Sequence, residues 1–289
     1  MVEGPPDPDL VRIRDLVYQV AGIFYPDAKL RLLFDGCHRR MKEINIRALP
    51  EYSDALTART DSHAELLALL NEITIGETCF FRNQPQLDAL RHVVIPNIVR
   101  AKTKLPRRQI RIWSAGCSTG EEPYSLSMVF LEASQDLLQD WTFEILATDL
   151  NGHSLAQART AVYSSYSTRY LPAYYREKYF TCVGEQFQLQ QSVRNYVNFS
   201  RLNLTDDALM NARPRMDIIF CCNVLIYFNL VSKRRVISHF YKNLLPHGYF
   251  FLGQSESLYG VTNDFQLVHL PGATAYVKAP TSEGKPYER

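Results

Sequence analysis

Apolar positions in the first seventy residues recur at helical spacing. Leu30, Leu33, Phe34, Cys37, Met41 and Ile44 fall three and four apart and draw one apolar stripe along a helix. Ser62 to Leu70 predicts a further helix, with Asp61 or Ser62 as its cap and Glu65 in its first turn. No convincing strand interrupts residues 10–72, so this part reads as a small helical bundle. From about residue 88 the rhythm changes. Leu87 to Arg100 predicts a helix, Ile110 to Ser114 a strand, Tyr124 to Leu138 a helix, and Phe143 to Thr148 a strand ending at Asp149. Val197 to Leu204 and the wholly apolar Met216 to Cys222 predict two more strands. Leu230 to Leu245 predicts a helix that stops at Gly248, as a C-terminal glycine allows. Tyr249 to Leu252, Phe265 to His269 and Thr274 to Val277 supply the last strands, the final two as an antiparallel edge. Such alternation implies a parallel sheet covered by helices on both faces. Residues 161–196 break the rhythm: they are rich in tyrosine, Phe187 to Gln190 alternates, and Val183-Gly184-Glu185 suits a hairpin turn. They predict a small antiparallel insertion. The division expected is a helical domain at 1–72, a linker at 73–87 and an α/β domain at 88–289. Residues 1–9 and 280–289 read as disordered tails.

Composition narrows the function classes. The chain has 289 residues, enough for one large domain and a smaller one. A net charge of +2 leaves no electrostatic footprint for nucleic acid. No long uncharged apolar run suggests a transmembrane helix, and the acidic, proline-rich start is not a signal peptide. The six cysteines show no CxxC spacing, so reduced intracellular thiols are expected and no metal site. Cys221 and Cys222, adjacent in a strand, should face opposite sides of the sheet.

The richest segment is Arg111-Ile112-Trp113-Ser114-Ala115-Gly116-Cys117-Ser118-Thr119-Gly120-Glu121-Glu122-Pro123-Tyr124-Ser125: a buried strand, a tight glycine turn and the start of a helix. Rossmann-like sheets open their nucleotide pockets this way. Phosphate loops add a lysine at the turn, where the helix dipole already attracts anions. Here Glu121 and Glu122 fill the first turn and would repel a pyrophosphate. S-adenosylmethionine, with a sulfonium, an ammonium and no phosphate, suits such a site. Asp149, ending the second strand, can take the ribose hydroxyls, or it can cap the helix starting near His153. Asn223 follows the apolar strand, where such sheets place ligands; Tyr227, taken alone, reads equally well as core. Asn203 can bond the adenine edge or be a turn residue. Thr74 to Asn83, with its Phe80-Phe81-Arg82 run, is either junction packing or a lid over the cofactor. There is no catalytic triad and no metalloprotease motif. Methyl transfer to a carboxylate needs no general base, because a glutamate of pKa ~4.3 is already ionised at neutral pH. Positioning and exclusion of water suffice.

These segments converge on one resemblance. Glu77-Thr78-Cys79-Phe80-Phe81-Arg82, Trp113 to Ser125, Ala147-Thr148-Asp149, Ile219 to Phe228 and Gly253 to Leu258 are similar, in order, to the CheR-type protein-glutamate O-methyltransferases that act on chemotaxis receptors. The resemblance runs from about residue 10 to 278. It implies a class I Rossmann-like methyltransferase with a mixed seven-stranded sheet, a small antiparallel insertion and an N-terminal all-helical domain. It further implies that Gly76, Thr78, Arg82, Ala115, Gly116, Glu121, Asp149, Asn203, Leu204, Cys222 and Asn223 line the site for S-adenosylmethionine and its product S-adenosylhomocysteine. Glu121 would face the methionine ammonium and Asp149 the ribose. Arg82 and Tyr227 would stand beside the transferred methyl and orient the acceptor carboxylate, a pairing that suits arginine. Three positions depart from the family pattern: Gly76 stands where asparagine is usual, Cys222 where arginine is usual, and Gln254 where histidine is frequent.

The basic positions Arg31, Arg39, Arg40 and Lys42 would approach the acidic, glutamate-bearing helical bundle of the receptor, or simply form a solvated helix face. The short turn near Val183 to Phe187 suggests no need for a receptor C-terminal tether. A cytoplasmic monomer recruited to receptor arrays is expected, with no nucleic-acid partner and no membrane insertion. The alternatives are methylation of another carboxylate substrate and a catalytically weak cofactor-binding signalling module.

Overall fold

The computed structural model describes residues 6–58, 62–104 and 106–279. The chain begins with four helices: α1 (Pro8–Ala21), α2 (Leu30–Glu43), α3 (Leu49–Thr57) and α4 (Ser62–Ile73). Asp7 caps α1, its carboxylate accepting from the backbone N–H of Asp9 (2.9 Å) and Leu10 (3.3 Å). Residues 7–9, expected in a disordered tail, therefore start a helix. Residues 1–5 and 280–289, and the cap assigned to Asp61 or Ser62, lie outside the described part. The stripe of α2 buries Leu30, Leu33, Cys37 and Met41 against Val17, Tyr52, Leu69 and Leu70. At its back Arg40 donates to both carboxylate oxygens of Glu65 (3.0 and 2.8 Å), and the Tyr52 hydroxyl donates to Glu65 as well (2.8 Å).

The second part opens with α5 (Gln84–Ala89), a π turn (Leu90–Val94) and α6 (Ile95–Lys102), one continuous helical run that starts before the expected Leu87. Pro96 has no N–H to donate, and the Ile95 N–H bonds instead to Leu90 O, five residues back. There follow β1 (Gln109–Ala115), α7 (Glu121–Ala133), β2 (Thr142–Asp149), α8 (Gly152–Thr160), β3 (Val162–Tyr163), α9 (Ala173–Tyr179), β4 (Phe180–Val183), β5 (Gln186–Leu189), α10 (Gln191–Arg194), β6 (Val197–Arg201), α11 (Asp207–Asn211), β7 (Met216–Cys221), α12 (Leu230–Asn243), β8 (Leu244–Leu252), β9 (Phe265–Leu270) and β10 (Ala273–Lys278). The seven-stranded sheet runs β6-β2-β1-β7-β8-β10-β9, with β10 antiparallel to both neighbours and the other pairs parallel. Strands β3, β5 and β4 make the small antiparallel insertion, with Gly184 and Glu185 as its hairpin turn. The fold is thus a Rossmann-like α/β domain behind an all-helical one.

Alternation along the strands feeds two apolar layers. Ile112, Ile218 and Phe220 face one side, Trp113, Ile219 and Cys221 the other; Cys222 packs on the first side, opposite Cys221. One expectation fails at Gly248. It terminates no helix: α12 ends at Asn243 and β8 runs straight through Gly248. A Cβ there would stand 2.8 Å from the Asp217 carbonyl, where the β7–β8 register shifts. The glycine permits close strand approach beside a buried ion pair. Asp217 accepts from Lys102 (2.9 Å), from the Arg111 N–H (2.9 Å) and shares a proton contact with His247 (2.7 Å). Helix α7 starts at Glu121 and stops at Ala133, earlier at both ends than the periodicity suggested, and β6 stops at Arg201.

Candidate active site

The chain runs outward from β1 to β2 and β6, then returns to place β7 on the other side of β1. The crevice beyond the carboxyl ends of β1 and β7 is where open α/β sheets hold ligands. A cavity of about 470 Å³ opens there, within the range of small-molecule sites. Its floor is the glycine turn. Gly116 (φ 80°) passes so close to the loop after β7 that a Cβ would sit 2.3 Å from a Val224 methyl. Ser118 is also left-handed (φ 49°), which turns its N–H onto Asp149 Oδ2 at 2.8 Å. The Asn151 N–H donates to Asp149 Oδ1, also at 2.8 Å. Asn151, and not Asp149, caps α8, accepting from the N–H groups of His153 and Ser154. Asp149 is therefore held at the cavity wall with acceptor capacity left over. Burial raises its pKa above the ordinary aspartate value, against the lowering pull of these backbone donors.

The two carboxylates of the first α7 turn separate. Glu122 lines the cavity, whereas Glu121 does not; it is buried elsewhere, taking a hydrogen bond from the Thr119 hydroxyl (2.6 Å). The cavity wall thus holds Glu122, where the sequence reading expected Glu121. Ala115 too lies outside the wall, packed in the apolar layer with Trp113. Glu122 accepts from the Ser114 hydroxyl at 2.7 Å and has the Cys222 thiol beside it. Burial pushes its pKa up to about 7. Among the described residues no lysine or arginine forms an ion pair with Glu122 or Asp149. This side of the wall suits a cationic ligand.

The linker forms the opposite wall. Gly76, Thr78 and Arg82 line the cavity, as do Asn223 and Tyr227 from the loop after β7. A Cβ on Gly76 would meet Ser118 Oγ at 2.6 Å, and that hydroxyl donates to the Gly76 carbonyl at 3.0 Å. The missing side chain makes room for a linker–turn contact. Arg82 is exposed and donates to the Glu77 carbonyl (2.7 Å); the Tyr227 hydroxyl donates to the Ile75 carbonyl (3.3 Å). Burial raises the Tyr227 pKa, with Arg82 pulling it down. Asn223 is left-handed (φ 62°), and its N–H donates to Glu256 Oε2 (2.6 Å), which also accepts from the Gly253 N–H (2.9 Å). Glu256 thereby clamps the loops after β7 and β8 together.

At the far end Leu204 and Asn203 line the cavity. The Asn203 amide is already engaged: Nδ2 donates to the Val20 carbonyl (2.6 Å), and Oδ1 accepts from Thr205. It ties the end of α1 to the α/β domain, and Ala21 and Ile23 join the wall beside it. The basic positions of α2 do not form one free surface. Arg31 pairs with Asp35 and Arg39 with Glu72, both exposed, while Arg40 is half-buried and paired with Glu65 and Glu43; Lys42 is exposed.

Comparison with known proteins agrees with this geometry. Residues 76–274 match the model for the CheR methyltransferase SAM-binding domain, and residues 8–74 the model for the CheR methyltransferase all-alpha domain. The chain belongs to the CheR methyltransferase family. It is 36% identical to chemotaxis protein methyltransferase 2 of Vibrio cholerae over 273 residues, covering 94% of this chain and 93% of that one. It is 30% identical to the chemotaxis protein methyltransferase of Borreliella burgdorferi over 256 residues, 88% of this chain and 90% of that one. It is also 30% identical to chemotaxis protein methyltransferase Cher2 of Pseudomonas putida over 272 residues, 93% and 97% of the two chains.

The protein is therefore a methyltransferase that uses S-adenosylmethionine, and the carboxylates Glu122 and Asp149 in the cavity wall fit that cationic methyl donor. Several wall residues escaped the sequence reading. Ser118, Gln86 and Ser154 lack distinctive spacing. Choosing between Glu121 and Glu122 requires the direction in which α7 leaves Gly120, because adjacent helical residues point about 100° apart.

Proposed function

We propose that this protein methylates glutamate γ-carboxylates on the cytoplasmic helical bundle of chemoreceptors, for adaptation in chemotaxis-type signalling. The observation that carries the reading is the pair Arg82 and Tyr227 at the cavity wall, each held by a linker carbonyl, with no histidine in the wall among the described residues. Its arginine suits an acceptor that is already anionic, and such an acceptor needs no general base. The names of the relatives support a receptor substrate. S-adenosylmethionine supplies a methyl group bonded to an electron-poor sulfonium. Glu122 would take the ligand's ammonium, Asp149 its ribose hydroxyls, and Gly116, Thr78, Leu204, Cys222 and Asn223 would shape the walls. Arg82 would orient the incoming carboxylate and Tyr227 would cover the reacting atoms from water. The exposed cations Arg31, Arg39 and Lys42 would face the acidic acceptor; Arg40 would support α2 from behind.

The two-residue turn at Gly184 and Glu185 suits an enzyme that reaches its acceptor without a receptor tether. The working location is the cytoplasm, at receptor arrays, as a monomer. The test is transfer of a labelled methyl group from S-adenosylmethionine to a chemoreceptor cytoplasmic fragment. Label released as methanol by mild base, and lost at least ~100-fold in Arg82→Ala and Tyr227→Ala, is expected. Cofactor binding without transfer to any receptor fragment would overturn the reading.

A further inference from the structure

The connection from β3 to α9 carries an aromatic cluster that the methyl-transfer chemistry leaves unused. Tyr166, Tyr170 and Tyr174 are 59%, 61% and 54% exposed, unusual for three large rings within nine residues. They are not loosely held. The Arg169 guanidinium lies 3.7 Å from the Tyr166 ring centre and 5.2 Å from that of Tyr170. The Tyr166 hydroxyl and Arg169 Nη2 both donate to Glu77 Oε1 at 3.0 Å, and the Phe80 N–H donates to the Ser167 carbonyl at 2.9 Å. Glu77 joins this ledge to the reaction centre, for its carbonyl holds Arg82. The ledge is thus a rigid rim beside the arginine that faces the acceptor.

Position indicates the occupant: a protein whose glutamate reaches Arg82 must lie against this rim. Arg169 is paired with Glu77 and Lys178 with Glu132, while Arg176 is exposed and in no ion pair among the described residues. Tyrosine and arginine, preorganised and partly solvated, are the residue types that dominate protein–protein contacts. We propose that Tyr166, Arg169 and Tyr170, with Arg176, form a docking ledge for the acceptor protein, receiving a carboxylate-bearing helical segment next to the glutamate that enters the cavity. This deepens the receptor-methylating reading and rests on it. The acceptor is then gripped on the insertion side of the mouth.

The experiment measures KM and kcat of the full chain on a chemoreceptor cytoplasmic fragment, with S-adenosylhomocysteine affinity as a check of the folded site. Tyr170→Ser and Tyr166→Ser are expected to raise the fragment KM at least fivefold each, with kcat within twofold and S-adenosylhomocysteine affinity unchanged. Tyr166→Phe, which keeps the ring, should stay near wild type. A photo-crosslinking phenylalanine analogue at position 170 should form a covalent adduct with the fragment. If the wild type methylates the fragment while both serine variants keep its KM, the ledge is overturned and the proposed function stands. If the wild type methylates no fragment, the proposed function fails and takes the ledge with it. A dimer of the free protein that Tyr170→Ser dissolves would assign the ledge to a second copy and overturn the proposal.

Discussion

Two partly buried carboxylates, Glu65 and Glu122, show how differently one chain treats the same side chain. Glu65, in the helical domain, receives a two-pronged arginine and a tyrosine hydroxyl. Its charge is matched inside the protein, and the unit clamps α2, α3 and α4 together. Glu122, in the α/β domain, receives only a serine hydroxyl and a neutral thiol, and its pKa rises to about 7. Cys222 is uncharged, so no lysine or arginine is ion-paired with this carboxylate among the described residues. The first arrangement serves the fold. The second stores a cost that a proton or a cationic ligand removes. An active site of this kind is recognised less by its acidity than by the lack of a built-in counterion.

The largest expected loss of stability comes from breaking the matched pair. Glu65→Ala leaves the half-buried Arg40 without its main partner and should lower unfolding stability by about 2 kcal/mol, read from urea titration. A loss below ~1 kcal/mol would show that Arg40 finds water or Glu43 instead.

Removing the unmatched charge should act in opposite directions on stability and binding. Glu122→Gln is expected to weaken S-adenosylhomocysteine binding about 10–100-fold by calorimetry, through the lost charge-assisted contact. The same variant should stabilise the ligand-free protein at pH 8. The sign follows from the pKa: the folded value, about 7, lies above the ordinary 4.5. Glu122 therefore favours the fold most below the ordinary value, and that favour is lost as pH rises through 7. The full excursion is on the order of 3 kcal/mol. Glu121 and Asp149, also raised by burial, act in the same direction. Equal stability of Glu122→Gln and wild type at pH 8 would contradict the contrast.

Ligand affinity should follow the same proton. Binding of an ammonium-bearing ligand requires ionised Glu122, so wild-type affinity should fall about tenfold between pH 8 and pH 6, while Glu122→Gln shows a flatter profile. A smaller effect is expected at the linker. Gly76→Ala should weaken ligand binding severalfold, because its methyl meets Ser118 Oγ at 2.6 Å. Adding Ser118→Gly, which suits φ 49°, should recover most of the loss. The smallest change is predicted for Arg31→Ala, whose pair with Asp35 is 80% exposed on the arginine side. Its stability should move by less than about 0.5 kcal/mol. A rise in acceptor KM without that stability change would mark Arg31 as a contact residue.

Much of the molecule was legible from local pattern. The α2 stripe, the apolar β7 strand and the β4–β5 hairpin each satisfy a period or turn rule that acts over a few residues. One error fell where a distant contact overrode local preference: Gly248 serves a neighbouring strand and not a helix end. Another fell where composition masked a local signal: Asp7 with Pro8 caps and starts a helix in what reads as a tail.

The residues themselves determined the α/β alternation, the glycine turn with its acidic first helical turn, and the preference for a cation over a phosphate, because these depend on side-chain period and formal charge. Tertiary structure alone decided which carboxylate lines the cavity, that Asn203 is spent on the end of α1, that Arg40 is paired with Glu65, and that Glu77 joins Arg82 to the tyrosine ledge. Those outcomes depend on helix phase and on contacts between segments far apart in the chain, where a shift of one residue redirects a side chain by about 100°.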